Sequence, residues 1–338
     1  MKVAIIGATG AVGREMIEDL SSSAVVKQPG FRVGLFASPR SAGEKIFIAN
    51  TSEEVKVFSL EALRGFDYAL MSAGGKFSKQ YAPAIVEQGT TVIDNSSAWR
   101  MQDGVLLIVP EVNGRLLRQG SRPQIIANPN CSTIQMVVAL QPLHEAFGLE
   151  QVQVSTYQSV SGTGQKGIRE LASQVDAHLK FTPVEPEVYA QPIAFNCLPA
   201  IDVLDASGHC FEEEKMIRET RKIMGLPGLD VLATTVRVPT FNCHCESVHV
   251  RLKKEVSREE AEAILEAAPG IKLVKASDHA MFPTPRTVVG DPGVWVSRVR
   301  LPLGQSRSHW LQFWIVADNL KKGAATNAVQ ILENLVGA

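Results

Sequence analysis

The chain opens with an apolar run, Val3-Ala4-Ile5-Ile6, that feeds into Gly7-Ala8-Thr9-Gly10-Ala11-Val12-Gly13 and then into a stretch of helical periodicity. Strand, glycine turn and helix in that order constrain this chain more than any other feature. Glycines so spaced permit a tight turn and a close backbone approach to a pyrophosphate. The helix N-terminus then offers unpaired N–H groups and the positive end of a dipole. Gly7, Thr9, Gly10, Ala11, Val12 and Gly13 are therefore candidate dinucleotide-binding residues.

The N-terminal third continues in the same rhythm. Apolar runs at 3–6, 32–37, 55–58, 68–72, 91–93, 106–109 and 124–127 read as strands, and 12–22, 79–88 and 132–147 as helices. Continuous apolar strands alternating with helices predict a doubly wound parallel sheet. Beyond residue 150 the texture changes. Strands are expected at 151–157, 231–238, 246–252, 294–300 and 309–316, with helices at 165–179, 212–224 and 258–268. This half reads as α+β with a mixed sheet. A proline-rich stretch, 183–199, reads as a long surface excursion. The end of the chain, 319–336, returns to amphipathic helix that can pack back on the first domain. The expected division is 1–130 for the nucleotide domain, 131–318 for the second domain and 319–338 for the returning segment. A length of 338 residues fits two domains.

Composition excludes several classes. Lys plus Arg, 34, nearly balances Asp plus Glu, 35, so no bulk field favours nucleic acid or an anionic membrane. No run approaches the ~20 apolar residues of a membrane span, and the apolar run at residues 3–6 is too short for a signal peptide core. Five cysteines, an odd number, point to free thiols, a reducing compartment and a cytoplasmic location.

The end of the second strand chooses between dinucleotides. A site for the 2′-hydroxyl form places Asp or Glu there. Here Ala37-Ser38-Pro39-Arg40-Ser41 supplies a hydroxyl and a guanidinium instead, which suits a 2′-phosphate. NADP is the expected cofactor, held at Ser38 and Arg40. A short-chain dehydrogenase needs a Tyr with a Lys four residues on. None of Tyr68, Tyr81, Tyr157 and Tyr189 has one.

Asn128-Pro129-Asn130-Cys131-Ser132-Thr133 holds the densest chemistry in the chain. A strand ends, the Asn-Pro-Asn turn reverses the chain, and an apolar helix begins. Cys131 thus sits at a helix N-terminus, a position that favours the thiolate and offers N–H groups to an oxyanion. A free cysteine is as often a small apolar packing residue, so the turn by itself leaves both readings open. Cys243-His244-Cys245 does not match the spaced pairs of a zinc site, and neighbours on a strand face opposite ways. No metal is expected.

Together these segments resemble the aspartate-β-semialdehyde dehydrogenase family, in its shorter bacterial form. The glycine loop, the segment 37–43, Asn128 to Thr133, Tyr157-Gln158, Val160-Ser161-Gly162, Arg237-Val238-Pro239 through His244 and Glu246, and Asp318-Asn319 carry the likeness in order along nearly the whole chain. The resemblance implies a Rossmann-type NADP-binding domain followed by a catalytic and dimerisation domain, assembled as a homodimer. It implies reduction of β-aspartyl phosphate by NADPH to aspartate semialdehyde and phosphate through a cysteine thioester. That step feeds diaminopimelate, lysine, methionine, threonine and isoleucine synthesis. Carried over by motif, Cys131 is the nucleophile, His244 the general acid/base, and Gln158 the group that orients the acyl intermediate. Arg237 takes the substrate carboxylate, Glu212 lies near its amine, Asn130 near the acyl group, and Arg100 and Lys215 hold phosphate. Ser72, Gly162 and Asn319 join the cofactor set. The family commonly has a small residue before the His and Ser after it, whereas cysteines flank His244 here and suggest sensitivity to oxidation. N-acetyl-γ-glutamyl-phosphate reductase shares this logic but usually carries Pro-Gly-Cys, against Pro129-Asn130-Cys131 here. A nucleotide-binding paralogue without activity would lack the cysteine.

Arg40→Ala should raise the KM for NADP and leave weak use of NAD little changed. Steady-state kinetics with both cofactors checks this, and an equal loss with both would reduce Arg40 to a support for its loop.

Overall fold

The computed structural model describes residues 1–49, 51–118, 122–275, 277 and 282–338. The chain divides into two compact units, residues 1–130 with 324–338, and residues 131–323.

The first unit is built on an eight-stranded sheet. Its strands are β1 (Lys2–Ile6), β2 (Arg32–Ala37), β3 (Lys45–Ile48), β4 (Thr51–Val57), β5 (Tyr68–Met71), β6 (Thr91–Asp94), β7 (Leu106–Leu107) and β8 (Ile125–Ala127). They lie in the order β3-β4-β2-β1-β5-β6-β8-β7, parallel except for the β3–β4 pair. The order reverses at β1, which has β2 on one side and β5 on the other. Such a switch point is where an open α/β sheet binds its ligand.

Alternation along β1 explains why it is apolar throughout. Val3 and Ile5 face one core, shared with Met16, Ile17 and Leu20 of α1 (Ala11–Ser22). Ala4 and Ile6 face the other, shared with Ala82 and Ile85 of α2 (Gly75–Glu87). After the short helix α3 (Pro110–Asn113) the unit passes through β8 and the Asn-Pro-Asn turn. The terminal helix is shorter than its sequence pattern. A π-type turn, Lys321–Ala325, precedes α9 (Thr326–Val336), whose Ala328, Ile331, Leu332 and Leu335 complete the first core. Thr326 Oγ1 donates to Asp19 on α1 and Ser23 Oγ donates to Glu333, tying both ends of α9 into this unit.

The second unit carries a six-stranded mixed sheet. Its members are β9 (Leu149–Gln158), β10 (Asp230–Arg237), β11 (His244–Val256), β12 (Ile271–Val274), β13 (Val294–Arg300) and β14 (Ser308–Ala317), ordered β10-β9-β11-β14-β13-β12. The two edge pairs are parallel and the interior pairs antiparallel. Helix α4 (Cys131–Phe147) packs on this sheet and is buried over most of its length. It is flanked by α6 (Phe211–Met224) and α7 (Arg258–Ala267). Helix α6 has the charge pattern its dipole favours, with Glu212, Glu213 and Glu214 in its first turn and Arg221 and Lys222 in its last. Glu213 reaches back to the Cys210 N–H and also accepts from the Thr235 N–H, fixing α6 to β10.

The proline-rich excursion has little regular structure and is held instead by α5 (Gln165–Leu179). The buried Glu170 accepts the Val188 N–H, and the buried Gln174 accepts the N–H groups of Ile193 and Ala194. Helix α8 (Pro285–Val288) is a single turn before β13. Two strands escaped the sequence reading, β3 and β12. Both are four-residue edge strands; β3 buries only Ile48 and β12 is half-buried, so neither shows the sustained pattern of a core strand.

Candidate active site

In the first unit the glycine loop has the form its sequence requires. Gly7 adopts φ +88° and donates to the Phe36 carbonyl at 2.8 Å. A methyl group at Gly7 would overlap the Ser72 carbonyl, and one at Gly13 would overlap the Gly7 carbonyl. Only hydrogen fits at either position. Helix α1 begins at Ala11 with no side-chain cap and no acidic residue in its first turn, so its N–H groups are left for an anion. Thr9 Oγ1 donates to Ser41 Oγ, joining this loop to the one after β2, on which Ser38 and Arg40 stand exposed. Arg100 is buried in the same unit. Its Nε donates to the Asn128 carbonyl at 3.0 Å and its Nη2 to the Asn95 carbonyl at 3.1 Å. Asn128 is fixed further by Asn95, Asn327 and the Ala324 carbonyl, so the turn leading through the buried Asn130 is rigid.

In the second unit Cys131 is the first residue of α4 and is half-buried. Gly323 passes so close that a Cβ there would lie 2.8 Å from the Cys131 Cβ. Register places the other groups. Gln158 pairs with Arg237 on β10 and with His244 on β11. Directly opposed residues share a face, so Arg237, Gln158 and His244 form a row across three adjacent strands, about 4.8 Å apart by sheet geometry.

The ring of His244 is wholly buried. Its Nδ1 accepts the Ser159 N–H at 3.1 Å, and its Nε2 has no hydrogen-bond partner among the described residues. An accepting Nδ1 puts the neutral ring's proton on Nε2. Burial, reinforced by the Arg237 charge and only partly offset by Glu212, pushes the ring pKa down to about 3, so the resting ring is neutral. Asn319 holds the two chain segments around it. Its Oδ1 accepts from Ser159 Oγ, Ser161 Oγ and the Cys243 N–H.

Gln158 donates through Nε2 to Ser132 Oγ and, at 3.0 Å, to Glu212 Oε1, which locks the amide plane. Glu212 in turn accepts from Lys215 Nζ at 3.1 Å, and Lys215 reaches Asp202 at 2.7 Å. Burial works against the Lys215 charge, but Glu212 and Asp202 outweigh it and hold the ammonium above its usual pKa. Arg237 Nη1 donates to the Ser159 carbonyl at 2.7 Å, leaving guanidinium donors for a carboxylate.

The second unit thus gathers Cys131, Gln158, Glu212, Lys215, Arg237 and His244 around α4 and one end of the sheet. Gly162, expected at a cofactor, lies against this cluster: a Cβ there would sit 2.9 Å from Arg237 Nη1 and 3.3 Å from His244 Nε2. Asn319, from the same expected set, spends its side chain on Ser159, Ser161 and Cys243. Cys243 and Cys245 face away from His244 into a pocket of Val288, Val316, Trp295 and Trp314. Burial pushes both thiols up, Cys245 to about 12, which disfavours the thiolate at both cysteines flanking the ring. Sequence reasoning did not single out Ser159, Ser132, Asp202 or Gly323. Ser159 meets the ring through its main-chain N–H as well as its Oγ, a contact with no sequence signature, and Gly323 shows its purpose only beside Cys131.

A nucleotide-type sheet joined to a unit that carries a helix-terminal thiol, a buried histidine and an arginine in register fits a nicotinamide-dependent oxidoreductase. Comparison with known proteins agrees. The family model described as semialdehyde dehydrogenase, NAD binding domain, matches residues 2–120, and the semialdehyde dehydrogenase dimerisation domain matches residues 140–322. The aspartate-semialdehyde dehydrogenase of Aquifex aeolicus is 44% identical over 340 residues, covering 99% of this chain and 98% of that protein. That of Legionella pneumophila is 45% identical, covering 99% and 95%. Among solved structures, aspartate semialdehyde dehydrogenase II of Vibrio cholerae complexed with ASA superposes with a TM-score of 0.91 at 43% identity, covering 99% and 98%. The enzyme of Candida albicans with NADP gives 0.72 at 25%, also covering 99% and 98%. The chain belongs to the aspartate-semialdehyde dehydrogenase family.

Two measurements follow from the site. An unfolded histidine titrates near 6.5, whereas His244 in the native site holds its pKa near 3. Between these values the unfolded chain binds a proton that the native ring refuses. The stability this ring contributes is therefore full above about pH 6.5 and is lost as pH falls towards 3. Melting temperatures should fall more steeply over that window for the wild type than for His244→Asn; equal slopes would contradict the assignment.

Iodoacetamide should abolish activity in step with alkylation of Cys131, while Cys243 and Cys245 stay unmodified in the native protein. Cys197 is exposed and should also react, yet Cys197→Ser should leave the inactivation rate unchanged. Peptide mapping in which activity follows any cysteine other than Cys131 would remove Cys131 from its role.

Proposed function

We propose that the chain catalyses NADPH-dependent reduction of β-aspartyl phosphate to aspartate semialdehyde and phosphate, as a homodimer in the cytoplasm. The observation that carries this reading is the row Arg237, Gln158 and His244 on three adjacent strands, with Gln158 also joined to the first turn of the helix that Cys131 opens. The relatives are aspartate-semialdehyde dehydrogenases over their full length, and the second unit matches the dimerisation model.

The glycine loop fits a dinucleotide, because Gly7 and Gly13 leave room for a close pyrophosphate and α1 presents free N–H groups to it. Gly7, Thr9, Gly10, Ala11, Val12, Gly13 and Ser72 would hold it, with Ser38 and Arg40 on a 2′-phosphate. NADPH, when bound, supplies a hydride. The chain supplies the rest. Cys131 attacks the acyl carbon as the thiolate, a C–S bond forms, the C–O bond to phosphate breaks, and phosphate leaves. The resulting thioester accepts hydride at carbon and becomes a tetrahedral oxyanion. His244 presents Nε2–H to that oxygen, so its acid/base role starts from the donor side, in a buried setting where such a bond is strong. Collapse of the oxyanion breaks the C–S bond, releases the aldehyde and returns the thiolate.

Gln158, held by Ser132 and Glu212, fixes the acyl group. Arg237 takes the substrate carboxylate with the guanidinium donors that Ser159 leaves, and Glu212 takes the amine. Asn130 lies by the acyl group, and Arg100 and Lys215 serve phosphate.

In the oxidative direction the reaction should require inorganic phosphate, because phosphate must attack the thioester. Arg100→Ala removes a charge-assisted contact of roughly 1.5–3 kcal/mol, which lowers kcat/KM for phosphate about 10- to 150-fold. The pre-steady-state burst of NADPH should survive. An oxidative rate independent of phosphate would defeat the acyl-phosphate reading; phosphate dependence with a neutral Arg100→Ala would remove only that residue.

A further inference from the structure

Two residues beyond His244 on β11 stands a second buried titratable group, Glu246, which the chemistry above does not use. It is fully buried, and among the described residues neither carboxyl oxygen has a hydrogen-bond partner of good geometry. Across the strand pair it faces Thr156 of β9, itself wholly buried, with an unpartnered Oγ1. Across the β14 pair it faces Ile315, which is apolar. From α4 the amide of Gln135 interacts with it, and Gln135 Oε1 is also unpartnered. Gln135 Nε2, meanwhile, donates to the His244 main-chain carbonyl at 3.4 Å. Gln135 lies one turn along α4 from Cys131.

A proton on Glu246 removes the largest cost in this pocket, a buried charge. An ionised Glu246 would be a buried charge favoured only by the Gln135 amide, with a hydroxyl on one side, the apolar Ile315 on the other and no cation beside it among the described residues. Isolated buried charge of that kind is costly. A protonated carboxyl carries no charge and can both donate and accept. Burial pushes the Glu246 pKa well above the usual carboxylate range, in the same direction.

We propose that Glu246 is a positioning residue, a neutral acid that braces the Gln135 side chain from β11. The strut Glu246–Gln135–His244 carbonyl fixes the spacing between the helix turn that bears Cys131 and the strand end that bears His244. The positioning role rests on the reading of those two residues as the reacting pair. The protonation state does not.

The test uses the full-length enzyme. Glu246→Gln keeps a donor and an acceptor of the same shape and should retain kcat within about threefold. Glu246→Leu removes both and should lower kcat at least tenfold with KM for substrate little changed. Infrared difference spectra at neutral pH should show the carbonyl stretch of a protonated carboxylic acid in the wild type and not in Glu246→Gln. Absence of that band, loss of kcat in Glu246→Gln equal to that in Glu246→Leu, or wild-type kcat in Glu246→Leu would each overturn the proposal. If Glu246→Leu does not fold, the infrared band and the Glu246→Gln rate still decide. A wild type inactive on aspartate semialdehyde would sink the functional reading, while the infrared result would still report on the neutral acid.

Discussion

The second unit depends on one constraint, the register of β10, β9 and β11. Pairing Arg237 and His244 with the same residue, Gln158, sets a cation, an amide and an imidazole at one level on one face. A slip of one residue in either pair would turn a member of that row to the opposite face. The slip is resisted by what lies on each side. Thr156, Val154 and Val152 continue the buried face of β9, and Val248 and Val250 continue that of β11. Apolar packing of the strands thereby sets the chemistry at their ends.

Helix α4 supplies the opposing wall. Its apolar length anchors it against the sheet, so its first turn, with Cys131 and Ser132, is held by packing many residues away from the thiol. Polar contacts then trim the position. Ser132 meets the Gln158 amide, and Gln135 meets the His244 carbonyl. Such side chains are buried and connected to one another, which makes the loss of any one expensive and the arrangement well defined. The neutral ring of His244 is a product of the same enclosure, since burial and the adjacent guanidinium both disfavour its cation.

Much of this was legible in the sequence, for physical reasons that differ by element. Strand β1 and its glycine loop were readable because a strand buried on both faces is apolar at every position and the turn after it tolerates only glycine at Gly7. Helix α5 was readable from its periodicity, to the residue at both ends. Cys131 was readable as a helix start from Asn-Pro-Asn. His244 and Arg237 owed their place to family likeness, because only the sheet register brings residues 79 and 86 positions after Gln158 beside it. Edge strands β3 and β12 were not readable, since short strands that bury one face weakly carry no sustained apolar pattern. Lengths of terminal elements were overestimated too. The sequence of the last segment continues amphipathic through the π-type turn at Lys321–Ala325, and periodicity cannot see a change of helical pitch.

The proline-rich excursion is tied to α5 through Glu170 and Gln174, and each tether ends on a main-chain N–H of the excursion. A main-chain donor is present whatever side chain the residue carries, proline excepted. The burden of recognition therefore falls on one partner. Substitutions at Val188, Ile193 or Ala194 that keep the N–H preserve both tethers, whereas a change at either α5 position releases several residues of chain at once. Over evolutionary time such a segment can drift in composition, and hence in what it presents to its surroundings, while its path stays the same.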